Sequence, residues 1–445
     1  MTQAPASEPW SGPFRKDIIP GLLFLVSLIL FATRLSVPAG YMFDEVYHAY
    51  TAAQYVAGNT EAYVWDTDAP RKGVSYMWNH PPAGVLLIAG GVRLWGDNSF
   101  GWRFSSAVFG AIGVVLAYLL ALRLTRDKTV AVVMACLLPI DGLYFAQSRI
   151  AMLDIFGMVF AMGALLSFYD YLTAPPDRVR WPLIRIGAML GLALATKWNA
   201  AYLALLTGLV LLYRAWKVWR GTRREQVSPE ARSGWKAHLT WLPVSLVVLP
   251  VLVYLVSYTP FFATGHDGAQ FVELQRQIFV YHTGLEAGHK FQSSWWQWPL
   301  ALGPVWYWGT FTKDTVAHVF ANGNLVLHWA FVPAVSWLAL RWRRESNPGL
   351  TVLLIGFFGQ WLPWALSPRI AFGYHFLPSV PFGALAVAMA VVELYHRGGL
   401  RRALAVIYML TVLAYFVFFY PTYSGLPLSR EAFELRMWFE SWRPR

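Results

Sequence analysis

Cysteine is nearly absent from this chain: one residue, Cys136, in 445. An intrachain disulfide and a cysteine metal cluster are therefore excluded. Charged residues are also scarce, at 13% against 57% hydrophobic. With a mean hydropathy of +0.42, this fits a polytopic helical membrane protein rather than a soluble enzyme. No HExxH or other compact ligand spacing occurs. No Gly-rich loop of the P-loop or dinucleotide type appears, which argues against soluble nucleotide donors. Internal repeats and low-complexity tracts are missing, so the usual signature of an inverted-repeat transporter is not met. The N-terminal stretch has neither an Arg-rich transit segment nor a small-residue cleavage site after its first apolar run. That run, from Ile18, reads as a retained signal anchor.

What is present is a series of apolar runs of membrane-crossing length. They predict about eleven helices, at 18–36, 102–124, 129–147, 150–172, 182–197, 198–217, 239–261, 324–342, 349–367, 372–394 and 402–420. The net charge of +12 gathers at the ends of alternate runs: Arg123, Arg126 and Lys128; Arg214, Lys217, Arg220, Arg223 and Arg224; Arg341, Arg343 and Arg344; Arg397, Arg401 and Arg402. This is the positive-inside pattern, and it explains the charge better than a nucleic-acid partner does. The chain then divides into a cytoplasmic tail (1–17), a membrane domain (18–420) and an extracytoplasmic end (421–445). Two outer loops are long, 37–101 and 262–323. The first holds a short apolar run, Ala83 to Trp95, expected to lie in the interface. The second holds Trp295-Trp-Gln-Trp298, either an interfacial belt or a platform for a sugar or isoprenoid chain.

Asp44-Glu45, just past the first apolar run, must be solvated, paired or used for chemistry at a membrane edge. On the same outer face the topology gathers Arg34, Arg103, Arg149, Asp154, Lys197, Arg369 and His375. Any one of these cations could be a snorkelling helix-end residue. Together with two carboxylates they suit a lipid-phosphate donor whose phosphate is the leaving group, since guanidinium groups make forked contacts to phosphate and lysine adds a point charge. Asp44-Glu45 beside His48 leaves a divalent cation open as a competing use, although no motif indicates a metal or any other cofactor.

The residues Phe43-Asp-Glu-Val-Tyr-His48, His80-Pro-Pro82, Arg103, Ser148-Arg149 with Asp154, and Lys197-Trp198 follow an order that resembles protein O-mannosyltransferases. So do Gln277 through Tyr281-His282, His289, Trp295-Trp-Gln-Trp-Pro299, and Pro368-Arg369 with Tyr374-His375-Phe-Leu-Pro378. The resemblance implies an all-α polytopic GT-C glycosyltransferase fold with a polyprenyl-phosphate-mannose donor. It also implies inverting transfer to Ser or Thr of a polypeptide delivered by the secretion machinery, at the extracytoplasmic face of the cell membrane. The 262–323 loop is too short for the MIR domain of eukaryotic relatives, which resembles the bacterial branch. Asp44 is then the expected base and Glu45 the residue that orients neighbouring cations or the acceptor. Arg103, Lys197 and Arg369 are expected to hold the donor phosphate, with Arg34 and Arg149 as second choices and His80 and His375 as further substrate contacts. Asp154 is expected to pair structurally with a nearby base. The alternatives are a GT-C transferase moving another lipid-linked sugar, or a lipid-linked sugar transporter. The transporter would place its acids inside helices rather than in an outer loop.

Overall fold

A computed structural model describes residues 17–68, 71–222, 229–345 and 347–443. All of the expected tail except Asp17 lies outside these residues, as do Arg223 and Arg224 of the second basic cluster and the last two residues of the C-terminal end.

The first half of the fold runs α1 (Ile19–Ala32), α2 (Glu45–Val56), α3 (Ala83–Trp95), α4 (Ser99–Thr125), α5 (Lys128–Leu137), α6 (Gly142–Gln147), α7 (Asp154–Thr173), α8 (Arg180–Thr196) and α9 (Ala200–Gly221). It continues through α10 (Pro229–Pro243), α11 (Leu249–Ser257), α12 (Thr259–Ala263) and α13 (Gly268–Gly284). A hairpin of β1 (Val305–Phe311) and β2 (Thr315–Ala321) follows, then α14 (Leu325–Glu345), α15 (Pro348–Trp361), α16 (Val380–His396) and α17 (Gly399–Ser424). The chain closes with β3 (Leu428–Ser429) and α18 (Arg430–Glu434).

Eight of the described helices are long and apolar enough to cross a membrane, against the eleven expected. The difference has local causes. The expected span 18–36 is helical for only 14 residues, about 21 Å of rise, and stops before Arg34, whose φ of 58° is left-handed. The expected helix 129–147 is broken at Pro139 and Asp141. Asp141 is fully buried and turns its carboxylate to the backbone instead, accepting the N–H groups of Tyr144 (2.9 Å) and Asn324 (2.9 Å). The expected break between 197 and 198 is present, since α8 ends at Thr196 and α9 starts at Ala200.

Burial orders the bundle from centre to rim. The α16 segment, rich in Ala and Gly, sits at the centre with Phe382, Ala384, Leu385 and Ala386 wholly buried. Small residues let helices approach closely where no water drives association. A Cβ on Gly383, for example, would lie 2.6 Å from the Phe331 ring of α14. By contrast α9, α11 and α17 expose rows of Leu, Val and Ile, as a lipid-facing helix does.

The second long loop is not wholly helical. The segments β1 and β2 pair antiparallel, with Val305 opposite Ala321 and Phe311 opposite Val316. The chain end adds β3 alongside β2, with Val316 opposite Leu428. This three-stranded sheet was not expected from the sequence. It roofs one end of the bundle, where α2, α3, α13 and the α6–α7 and α8–α9 turns also gather.

Candidate active site

The turn before α2 is strained. Phe43 has φ 49°, a conformation that costs a non-glycine residue about 1–3 kcal/mol and persists only when its surroundings dictate it. They do: the Phe43 ring is held among Tyr307 (5.2 Å between centroids), His289 (5.9 Å), Phe372 (6.1 Å) and Tyr374 (6.1 Å). The next residue, Asp44, stands at the N-cap of α2, yet its side chain caps no backbone N–H. Its carboxyl is turned into a cavity instead.

Glu45 does the opposite. It is fully buried and forms a forked ion pair with Arg103, Oε1 to Nε at 2.8 Å and Oε2 to Nη2 at 2.8 Å. The same carboxylate accepts the N–H groups of Met42 (3.0 Å) and Ala151 (3.0 Å). The other Arg103 hydrogens go to the carbonyls of Leu35 (3.0 Å), Pro38 (2.8 Å) and Gly40 (2.9 Å). All five guanidinium N–H groups are thereby used, so none is free for a donor phosphate, and Arg103 is a positioning residue. It reaches this spot because α3 and α4 touch: a Cβ on Gly91 would lie 2.4 Å from the Gly101 carbonyl oxygen.

The two second-choice cations also lie elsewhere. Arg149 is buried, donating to the carbonyls of Phe31 and Thr33 (2.5 Å each). Its guanidinium lies 5.0 Å from the Phe145 ring centroid. Arg34 is exposed and reaches the Gly425 carbonyl at 3.3 Å. Neither lines the cavity that receives Asp44.

That cavity measures about 1610 Å³ and is lined by Asp44, His48, His80, Lys197, His282, Arg369 and His375, among others. Lys197 occupies the extended break between α8 and α9 and pairs with Asp154 at 2.9 Å, the structural partnership expected for Asp154. Arg369 donates to Nδ1 of His282, whose Nε2 lies 2.8 Å from the Asn79 carbonyl. A carbonyl can only accept, so the proton sits on Nε2 and Nδ1 is left as the acceptor. His375 is held by the Phe372 N–H on its Nδ1 (3.0 Å) and stacks on Trp364 at 4.1 Å. Among the described residues, no protein partner meets two buried polar atoms of this lining, Nε of Arg369 and Nδ1 of His80. Such atoms are costly unless a ligand or water meets them. Of the expected phosphate contacts, the structure thus brings Lys197 and Arg369 together, with the expected substrate contacts His80 and His375 beside them, and sets Arg34, Arg103 and Arg149 apart.

Electrostatics follow from burial. Burial raises the Asp44 carboxyl to about 7, with Lys197 pulling it down and Asp154 pushing it up. His48 is pushed down to about 3 by burial and by Lys197, and His282 to about 4 by burial and by Arg369. His80 is held well below its usual range, first by burial and then by Lys197. These three imidazoles are neutral at physiological pH, so they act as hydrogen-bond partners rather than cations. In the sequence, His48 and His282 belong to the family motifs, and His48 also flanks the acidic pair as a competing cation site; neither carries an assigned substrate role. Their neutrality and their backbone partners, Ala151 O at 3.3 Å for His48 and Asn79 O for His282, are set by the tertiary structure. Among the described residues, no group of three or more His, Cys, Asp or Glu side chains is placed to hold a metal ion.

The sequence matches the family described as dolichyl-phosphate-mannose-protein mannosyltransferase over residues 21–265. Residues 268–442 match the family described as the C-terminal four-TMM region of protein-O-mannosyltransferase. The polyprenol-phosphate-mannose–protein mannosyltransferase of Mycobacterium tuberculosis is 30% identical, covering 82% of this chain and 81% of its own. Its counterpart in Corynebacterium glutamicum is 27% identical, with the same coverage of each. In fold, the chain is similar to the S. cerevisiae protein O-mannosyltransferase Pmt1-Pmt2 complex bound to the sugar donor, with a TM-score of 0.79 at 16% identity over 96% of this chain and 92% of that one. It is also similar to ArnT from Cupriavidus metallidurans bound to undecaprenyl phosphate, with a TM-score of 0.60 at 18% identity over 91% and 76%. With nearly the whole sequence matched and a GT-C arrangement around Asp44, this chain belongs to the protein O-mannosyltransferase family of membrane glycosyltransferases.

Proposed function

We propose that the chain transfers mannose from polyprenyl-phosphate-mannose to Ser and Thr hydroxyls of translocated polypeptides at the extracytoplasmic membrane face, inverting the anomeric centre. One observation carries this reading: a single carboxyl, Asp44, shares a cavity with Lys197 and Arg369, and that cavity runs on into an apolar groove. The groove passes between Leu205 and Leu206 of α9 and Thr351, Leu354, Ile355 and Phe358 of α15. From Thr351 to Leu362 it follows α15 for about 16 Å, room for several isoprene units. The cations then hold the phosphate at the head of the groove, and the sugar sits beside Asp44.

In the reaction the acceptor oxygen forms a bond to the anomeric carbon as the carbon–oxygen bond to phosphate breaks. The hydroxyl proton passes to Asp44 and the electron pair leaves with polyprenyl phosphate. Cations already in place at the phosphate meet its growing charge without reorganisation. Direct displacement needs one base and no enzyme nucleophile, and one free carboxylate is what the cavity presents, since Asp154 is bound to Lys197. The decisive assay supplies the purified protein in detergent with polyprenyl-phosphate-mannose and a Ser/Thr-rich peptide. Mannosylated peptide supports the reading, and transfer only from a different lipid-linked sugar would overturn it.

Arg369→Lys keeps the charge but loses the fork and the hydrogen bond to His282. Donor utilisation, read as kcat/KM, is expected to fall on the order of 10–100-fold. Unchanged donor kinetics in Arg369→Lys and Lys197→Ala alike would remove both from the phosphate site. For topology, single cysteines are introduced in a Cys136→Ser background. An impermeant thiol reagent on intact cells is expected to label position 290 and to spare position 220. The reverse pattern would place the cavity on the cytoplasmic side.

A further inference from the structure

Beside the catalytic cavity lies a second one of about 640 Å³. The two share a wall, the segment Ser367–Ile370 with Trp364, and Arg369 lines both. Beyond that wall the second lining sets polar residues, Lys290, Gln292, Ser293, Ser294, Gln297 and Ser441, among the rings of Phe291, Trp295 and Trp296. It contains two cations and no carboxylate. The acids nearest in sequence, Glu286 and Glu440, line neither cavity, and Glu440 is paired with Arg443 at 3.4 Å. Lys290 has no ion-pair partner among the described residues. Its ammonium lies 4.9 Å from the Phe291 ring centroid, and the buried Nε of Arg369 has no partner either. On the reading above, Arg369 is committed to the donor phosphate, so Lys290 is the charge this hollow keeps for itself, and an unneutralised cation among hydroxyl and amide groups suits an anion.

The reacting centre is close. The rings of Phe43, beside Asp44, and His289 are 5.9 Å apart, and His289 and Phe291 are 5.6 Å apart. With Arg369 in the wall between the two cavities, the second lies within a few residues of extended chain of Asp44. We propose that this side cavity is an acceptor-specificity subsite that takes an acidic side chain a few residues from the target Ser or Thr. The proposal rests on the transferase reading above and adds a sequence preference to it.

The test uses the full chain in detergent, polyprenyl-phosphate-mannose and Ala/Pro peptides bearing one Thr. A single Glu is placed at successive positions on either side, with Gln at the same positions as reference. One register of Glu is expected to lower the peptide KM roughly three- to tenfold with kcat unchanged, and the advantage should shrink at high salt. Lys290→Glu should abolish it and favour Lys at that register, while the Gln peptides react as with the wild type. Equal KM for Glu and Gln peptides at every position would overturn the subsite and leave the transferase standing. So would a Glu preference undiminished in Lys290→Glu. Transfer to none of the peptides would overturn both.

Discussion

Asp44→Asn is expected to lower mannosyl transfer by about 10²–10⁴-fold, the usual contribution of a positioned general base. The amide keeps the shape of the side chain and removes its basicity, so donor binding and the fold are expected to survive. The pH profile gives a second reading of the same group. With its carboxyl raised to about 7, Asp44 is mostly protonated at pH 6, and activity should climb as the pH rises through 7 and level off above it. Residual activity in Asp44→Asn should lose that rise. Stability moves the other way. A carboxyl whose folded-state value lies above its unfolded value of 3.8 stabilises the fold least once the pH exceeds 7. Asp44→Asn should therefore melt higher than the wild type at pH 8, with the difference shrinking as the pH falls toward 4. Near-normal turnover in Asp44→Asn would end the catalytic reading of this loop.

Glu45→Gln is expected to be as inactive, for a different reason. The Glu45–Arg103 pair is wholly buried, and removing one partner of such a pair costs about 3–5 kcal/mol because the other charge is left uncompensated. Gln also brings a donor NH₂ into a site where four hydrogens already point at the carboxylate. The measurement is thermal unfolding in detergent alongside transfer: both should fall together in Glu45→Gln and in Arg103→Met. The double variant Glu45→Leu with Arg103→Met should recover only part of the stability: it removes the uncompensated charge but leaves three carbonyls and two backbone N–H groups without their partners. A Glu45→Gln protein that melts like the wild type yet transfers nothing would instead put Glu45 in contact with substrate.

The two acids differ in how far the sequence discloses them. Side by side in an apolar chain, Asp44 and Glu45 announce a site, and adjacent residues on a helix or strand point in different directions. Which of them is free depends on Arg103, which is 58 residues away in sequence. The outer-face arginines look equivalent when read along the chain. Their fates are set by the backbone carbonyls around them: three accept from Arg103, two from Arg149 and, among the described residues, none from Arg369. The helices were legible because apolar length is a local property. The hairpin was not, because its aromatic strand, Val305–Phe311, reads equally well as an interfacial loop until β2 covers it. The break at Asp141 was hidden for a similar reason, as a buried acid inside an apolar run declares itself only once Asn324 supplies a donor.

The groove along α9 and α15 is open at its side, where Leu205 and Leu366 are exposed and would meet acyl chains in a bilayer. A substrate entering by that route never dissolves in water, so its supply is set by its mole fraction among the surrounding lipids. Adding inert phospholipid to a reconstituted system would then slow loading as surely as withholding donor, whereas a larger buffer volume would change nothing. The isoprenoid tail leaves one apolar surrounding for another, so it gains little by entering the groove. On the proposed donor site, selectivity for the lipid-linked sugar is then left to the polar head, beside Lys197 and Arg369.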